Sequence, residues 1–261
     1  MTYRIRFAVL ASGSKGNACY VETRHARILI DAGLSLRETR RHLQALGIAP
    51  ERLDGVFVTH EHADHIRGAG PLARRYQFPL FMNAKTFDRC RKSLGKLAEP
   101  LPVEPGGSVE IEDLRVETFT KCHDAVDPMG VILSSNGIRI GIATDLGRCT
   151  RLAEDRLRRC RALILEFNHD PGMLANGPYP LFLKRRIQGP DGHLSNRQAG
   201  ELLKSISHPD LEVVALAHLS ETNNTPEKAK ASARAALADT PGHRAEVLVC
   251  SQNERGPLIS F

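Results

Sequence analysis

A chain of 261 residues, 41% hydrophobic and 25% charged, has the balance of a soluble globular protein and the length for one large two-layer or four-layer domain. The apolar run Phe7 to Ala11 is too short for the hydrophobic region of a signal peptide, and no run approaches a membrane span, so the sequence reads as cytoplasmic with no membrane partner. Six cysteines without a CxxC pair suggest neither a zinc ribbon nor a disulfide framework, and a net charge of +6 suits a polyanionic partner without requiring one.

Ile5 to Ala11 and Ala18 to Glu22 read as strands joined by Ser12-Gly13-Ser14-Lys15-Gly16-Asn17, with a third strand from Arg27 to Ile30, a β meander. The turn lacks the spacing of a P-loop and opens no helix. It is either a plain hairpin turn or a loop whose hydroxyls and amides face substrate phosphate, which makes Ser12, Ser14 and Asn17 candidates. Asp31-Ala32-Gly33 ends the third strand, and Leu36, Thr39, Leu43 and Leu46 then recur with helical period until Gly47. The next strand, Gly55 to Thr59, precedes a helix expected from about Asp64 to Tyr76. Pro79 to Met82 reads as a strand, 84–95 as a basic helix, and 101–121 as short strands broken at Pro105-Gly106-Gly107 and Glu112-Asp113.

The second half repeats the style. Gly130 to Ser134 and Ile138 to Ala143 form a hairpin around Asn136-Gly137, and Thr144-Asp145-Leu146-Gly147 sits at the strand end as Asp31-Ala32-Gly33 does earlier. A helix over about 150–158, a strand from Ala162 to Glu166, an irregular Gly- and Pro-rich stretch over 168–192 and a helix from Ser195 follow. A strand from Leu211 to Ala217, a helix from Pro226 and a final strand pair complete the chain. Two β-rich halves with helices outside and no linker between them predict an α/β (α+β) four-layer αββα sandwich, one domain over 1–261.

Chemistry concentrates in His60-Glu61-His62-Ala63-Asp64-His65, directly after the apolar run Val56-Phe57-Val58. A strand that delivers His60 and His62, and a turn that brings Asp64 and His65 round at a helix start, can surround two cations from one segment. Asp31, His123, Asp145 and His218 also follow strands, and strand ends collect side chains at one rim of a sheet. Their sum supplies enough nitrogen and oxygen ligands for two metal ions. Glu61 is expected to face outward without a catalytic role, and His25, His42, His208 and His243 are expected at the surface.

The order His60-Glu61-His62-Ala63-Asp64-His65, His123, Asp145, His218 resembles the metallo-β-lactamase fold superfamily across essentially the whole chain. The segments at 12–17, 31–33 and 144–147, with Asn168-His169-Asp170, Gly192-His193-Leu194-Ser195-Asn196 and Ala217-His218-Leu219-Ser220, are similar to the WalJ (YycJ) branch of nuclease-like proteins. The resemblance implies that His60, His62 and His123 hold one metal, that Asp64, His65 and His218 hold the other, that Asp145 bridges them, and that Asp31 supports a ligand imidazole from behind. Cys122 precedes His123; a thiolate turned inward in place of the imidazole would make the first metal site softer and more zinc-selective.

Two divalent ions, Zn²⁺ or Mn²⁺, about 3.5–4 Å apart can bridge a water, lower its pKa toward about 7 and clamp both oxygens of an in-line displacement. That chemistry suits a phosphodiesterase acting on nucleic acid, and the WalJ resemblance suggests a 5′-to-3′ exonuclease. Asp64 belongs to the reacting centre, His193 or His169 can protonate the departing oxygen, and Asn168 and Ser195 join the phosphate candidates. Three basic clusters, 67–96, 148–161 and Lys184-Arg185-Arg186, offer charge neutralisation. The alternatives are hydrolysis of a small cyclic phosphodiester, of a thioester or lactone, or a metal-binding module without turnover.

Overall fold

The structure, a computed structural model, describes residues 4–238, 240 and 244–261; His243 lies outside them. Strands β1 (Arg6–Ala11), β2 (Ala18–Glu22) and β3 (Arg27–Ile30) form the expected antiparallel meander. Helix α1 (Leu36–Ala45) leads to β4 (Gly55–Phe57), which runs parallel to β3. Helices α2 (Ala63–Ile66) and α3 (Ala69–Tyr76) cross to β5 (Leu80–Met82), and α4 (Ala84–Leu94) crosses to β6 (Leu101–Pro102), again parallel. Parallel neighbours require such crossovers, because no tight turn returns the chain to the same end of the sheet.

A second sheet begins with the antiparallel strands β7 (Ser108–Ile111), β8 (Leu114–Thr120), β9 (Met129–Ser135) and β10 (Ile138–Ala143). It continues in parallel through α5 (Arg151–Leu157), β11 (Ala162–Glu166), α6 (Pro171–Asn176), α7 (Leu181–Gln188), α8 (Asn196–Ile206), β12 (Val213–Ala217), α9 (Pro226–Ala238) and β13 (Glu246–Val249). The short β14 (Ile259–Ser260) then returns to the first sheet beside β1. The two seven-stranded sheets have the orders β14-β1-β2-β3-β4-β5-β6 and β13-β12-β11-β10-β9-β8-β7.

Three apolar clusters correspond to the three interfaces of a four-layer sandwich. Phe7, Val21, Ile28 and Phe57 from the first sheet meet Val116, Val131, Ile140 and Ile164 from the second. Leu43, Leu72 and Leu94 cover the outer face of the first sheet, and Leu157, Leu203 and Leu237 that of the second. The αββα expectation is thereby met, and truncating a side chain such as the fully buried Phe57 to alanine would cost about 3–5 kcal/mol. No helix among the described residues is long and apolar enough to cross a membrane.

Four local expectations need correction. The helix over 64–76 is two helices, because Gly68 lies on the Ala32–Leu34 turn, its N–H donating to Ala32 O at 2.7 Å, and a Cβ there would sit 2.1 Å from Leu34 O. The stretch 168–192 contains α6 and α7, whose prolines open the helices: Pro171 is the first residue of α6 and Pro180 caps α7. The final two strands are not a pair, since β13 extends one sheet and β14 the other. His42 is buried with Thr39 and Leu43 on the inner face of α1, whereas His25 is exposed and His208 half-buried with its Nε2 3.1 Å from Cys160 O.

Candidate metal centre

The polar residues gather at the carboxyl ends of the strands. Asp31 follows β3, Asp145 lies two residues beyond β10 and His218 follows β12. All three adopt left-handed backbone, with φ of 60°, 54° and 55°, a conformation that turns each side chain back into the gap between the sheets. The first sheet contributes His60 to His65 from the turn after β4, and the second contributes His123, Asp145 and His218. The turn at Gly33 is packed so closely that a Cβ there would lie 1.6 Å from Asp64 O, which fixes glycine at that position. Around it, Asn17 N donates to Asp64 O at 2.7 Å and Ala32 N to His65 O at 2.8 Å.

Oxygen partners fix the tautomers of the rings, because a carboxylate or carbonyl oxygen can only accept. His65 Nδ1 donates to Asp31 Oδ2 at 2.7 Å, His218 Nδ1 to Glu166 Oε1 at 3.1 Å, His123 Nδ1 to Gly192 O at 3.2 Å and His62 Nε2 to Asp124 O at 3.2 Å. Thr59 Oγ1 donates to Asp31 Oδ2 at 2.9 Å, so it accepts from His60 Nδ1 at 3.0 Å. The nitrogens left over all face inward. His60 Nε2 and His218 Nε2 are buried without a hydrogen-bond partner among the described residues, and Asp145 Oδ2, also buried, faces His65 Nε2 at 3.1 Å. His62 Nδ1 and His123 Nε2 stand 3.3 Å apart, lone pair toward lone pair once the other nitrogens are protonated.

Inward lone pairs around a buried carboxylate suit a cation. Two groups, His60-His62-His123 and Asp64-His65-Asp145-His218, each keep their ligand atoms within 4.8 Å of one another and suit a divalent metal ion. A third combination, Asp145-Glu166-His193-His218, meets the same distance criterion. In it, however, Glu166 already accepts from Asp145 N, His193 Nδ1 and His218 Nδ1 on one oxygen and from Leu146 N and Leu194 N on the other. Five donors saturate the carboxylate, so Glu166 orients its neighbours.

Burial and charge set the protonation states without metal. Burial holds His60 well below its ordinary value, helped by His65 and Lys121, and burial takes His123 down to about 4 against the pull of Asp145. Burial also disfavours the charged forms of His65 and His218, but carboxylates outweigh it. Asp31 and Asp145 raise His65 to about 10, and Asp145, Asp64 and Glu166 raise His218 well above the usual range. Asp145 is held far below its ordinary value, its burial overcome by His218 and His65. Glu166, buried likewise, is lowered to about 2 by His193 and His218.

A cavity of about 390 Å³ opens above this cluster, lined by His62, Asp64, His123, Asp145, His193 and His218 among others. Of the phosphate candidates, the exposed Ser14 and the buried Asn168 line it. Ser12, Asn17 and Ser195 are corrected to supporting roles. Ser12 Oγ accepts from His218 N at 2.8 Å, Asn17 Nδ2 lies 3.1 Å from Asp64 Oδ2 and 3.0 Å from His65 Nε2, and Ser195 caps α8. His193 lines the cavity; His169 is 2% exposed, lies off its wall and has its Nδ1 3.3 Å from Asn168 Oδ1, so the proton-donor expectation for His169 is corrected. Cys122 Sγ accepts from Arg148 Nε at 3.3 Å and belongs to none of the metal-suited groups, leaving the inward position to the His123 imidazole. Glu61 Oε1 accepts from Val126 N at 2.9 Å, tying the histidine turn to the opposite loop. Glu166 is the residue that sequence reasoning missed, although it ends β11 in the same manner as the other strand-end candidates.

A four-layer sandwich with a buried His/Asp cluster at its strand ends defines a class: metal-dependent hydrolases of the metallo-β-lactamase fold. A family model described as the beta-lactamase superfamily domain matches residues 26–219, and the chain belongs to that superfamily. It is 35% identical over 237 residues to an exodeoxyribonuclease of Bacillus anthracis, YycJ, with 90% of each chain covered. It is equally 35% identical over 228 residues to the exodeoxyribonuclease WalJ of Streptococcus pneumoniae, covering 86% of this chain and 85% of that one. The metallo-β-lactamase fold protein YhfI of Bacillus subtilis superposes with a TM-score of 0.75 over 98% of this chain and 99% of its own, at 15% identity, a likeness of fold alone.

Proposed function

We propose that this protein is a di-metal phosphodiesterase that removes nucleotides from the end of a DNA strand, using Zn²⁺ or Mn²⁺. The observation that carries the reading is the pairing of two ligand groups across one cavity, with Asp145 within ion-pair distance of three rings: its Oδ2 lies 3.1 Å from His65 Nε2, and its Oδ1 lies 3.8 Å from His123 Nε2 and 3.4 Å from His218 Nε2. The near full-length likeness to two exodeoxyribonucleases supports the substrate class.

In this reading His60, His62 and His123 would hold one ion and Asp64, His65 and His218 the other, with Asp145 available to both. When bound, the ions supply an activated water and neutralise charge on the phosphoryl oxygens. The chain's own residues do the rest. Asp31, Thr59, Glu166 and the Gly192 carbonyl lock each ring in the tautomer that presents its lone pair inward. His193, anchored by Nδ1 on Glu166 at 2.8 Å, keeps Nε2 free on a ring that lines the cavity, where it donates a proton to the departing oxygen. Free thiols at all six cysteines suit the reducing cytoplasm, and an apolar core shared by both sheets supports treating 1–261 as one domain.

The test is turnover by metal-loaded protein of end-labelled DNA strands, a cyclic nucleotide and a thioester, together with metal analysis. Stepwise release of nucleotides with about two ions per chain is expected, and His193→Ala is expected to lower kcat about 10²- to 10⁴-fold. Hydrolysis of the thioester with DNA untouched would overturn the proposal.

A further inference from the structure

Helix α7 is unusual for its position. It buries none of its residues, yet its inner side, Leu183, Arg186 and Ile187, forms one wall of the catalytic cavity. Its attachment comes from bonds rather than packing. His193 N donates to Ile187 O at 2.9 Å, Lys184 Nζ to Ala175 O at 2.7 Å, and Arg186 pairs with Asp124 Oδ2 at 2.6 Å. The helix therefore stands over the site while offering apolar side chains to solvent: Phe182 is 74% exposed and Leu181 61%, the highest values among the exposed large apolar residues described.

Phe182 stands four residues before Arg186, so the two project from the same side of the helix about one turn apart. Arg186 borders the cavity, which puts the aromatic ring about 5–6 Å further out along the same face. Arg185, three residues on, stands beside Phe182 on the same side of the helix, and it is exposed with no carboxylate partner among the described residues. A protruding aromatic among cations suits bases joined by phosphates. The ring stacks on a base of any sequence, the cations meet the backbone, and the combination is poor for a bare phosphate or a small apolar ester.

We infer that Phe182 on α7 is a stacking platform for the nucleobase next to the scissile phosphate of a single-stranded polynucleotide end, with Arg185 contacting the adjoining backbone. The inference rests on the phosphodiesterase reading and specifies its substrate as an unpaired strand end, since a base inside a duplex has both faces covered by its neighbours and must be unstacked to reach the ring. Phe182 touches no reacting atom; it positions the strand so that one particular phosphate enters the cavity.

The experiment compares wild type with Phe182→Ala and Phe182→Tyr, all metal-loaded. Substrates are a single-stranded oligonucleotide and bis(p-nitrophenyl) phosphate, which carries no base to stack. For Phe182→Ala the oligonucleotide KM is expected to rise roughly 5- to 100-fold relative to the change for the small diester, with Phe182→Tyr restoring most of it. The quenching of 2-aminopurine placed at the strand end is expected to be lost in Phe182→Ala and regained in Phe182→Tyr. An unchanged oligonucleotide-to-diester ratio for Phe182→Ala overturns the platform while leaving the phosphodiesterase reading intact. An unchanged ratio together with a wild-type dimer that Phe182→Ala dissociates makes a second copy of the chain the occupant of α7, which also overturns it. Wild-type protein that hydrolyses the small diester but no oligonucleotide would defeat the nucleic-acid reading itself, and the inference with it.

Discussion

The two ligand groups share a cavity and a carboxylate, yet they stand in opposite charge states. In His60-His62-His123 burial keeps His60 and His123 neutral, the latter down at about 4, and Lys121, buried beside them with its Nζ on Thr144 O at 2.7 Å, adds to that effect. In Asp64-His65-Asp145-His218 the surrounding carboxylates keep both imidazoles charged, Asp31 and Asp145 acting on His65, and Asp145, Asp64 and Glu166 on His218. The second group thus keeps protons where a metal belongs, and exchanging two protons for one divalent ion leaves its net charge unchanged. In the first group His60 and His123 have no proton to give up near neutral pH, so an ion bound there adds its charge without displacing one from either ring. Metal binding is therefore expected to depend on pH mainly at the second group, and the first is expected to hold the looser ion.

The largest effect should come from removing what the two groups share. Asp145→Asn keeps a residue type that tolerates the left-handed backbone at φ 54°, so the fold should persist while phosphodiester turnover falls about 10³-fold or more and both ions weaken. One ion retained at full occupancy, with turnover reduced less than about tenfold, would break the idea of a common ligand. Next in size is the pH response. Metal-free His65, raised from 6.5 to about 10, contributes stability that is complete below about 6.5 and is lost as pH rises through about 10. Metal takes the neutral ring, so affinity at the second group runs the other way, rising by up to ~100-fold per pH unit if both protons leave. Calorimetry in buffers of different ionisation enthalpy should show nearly two protons released there and none from His60 or His123 at the first group; equal release at both would erase the contrast.

A smaller effect separates orientation from ligation. Glu166→Gln leaves the ligand set whole but disturbs His218 and His193, with an expected loss of about 10- to 100-fold in kcat or in affinity at the second group alone. Equal loss at the first group would show that Glu166 supports the entire cluster. The smallest change is expected from Cys122→Ser, since the thiol meets Arg148 and not the cluster: metal content should hold and turnover stay within about twofold.

Most of this site was legible because its residues follow apolar runs. The strand-end rule led from Val56-Phe57-Val58 to His60, from Ile142-Ala143-Thr144 to Asp145 and from Val214-Ala215-Leu216-Ala217 to His218, and the structure brings all seven ligand candidates into two groups. The same rule, applied once more to Ala162–Glu166, would have found Glu166; a carboxylate closing a strand reads as its polar end until the neighbours that saturate it are seen. Asn17 and Ser12 were singled out in the correct loop for the wrong reason, because which way a short polar side chain points is decided by tertiary packing against His65 and His218. Helices α6 and α7 were hidden by Pro171 and Pro180, which open helices as readily as they interrupt them. His42 escaped because a polar side chain beside Leu43 can share the inner stripe of a helix.

Both ligand groups draw members from each sheet: His60, His62, Asp64 and His65 from one side, His123, Asp145 and His218 from the other. An ion held in either group consequently cross-links two halves of the sandwich that are otherwise joined by apolar contact and a few bonds such as Met129 N to Thr59 O at 3.1 Å and His218 N to Ser12 Oγ at 2.8 Å. Cofactor supply is then also a control on folding: each ion present at a hundredfold excess over its Kd adds about 2.7 kcal/mol to the folded state. Metal starvation would both silence the enzyme and lower its resistance to unfolding and proteolysis, coupling its abundance to the ions on which it works.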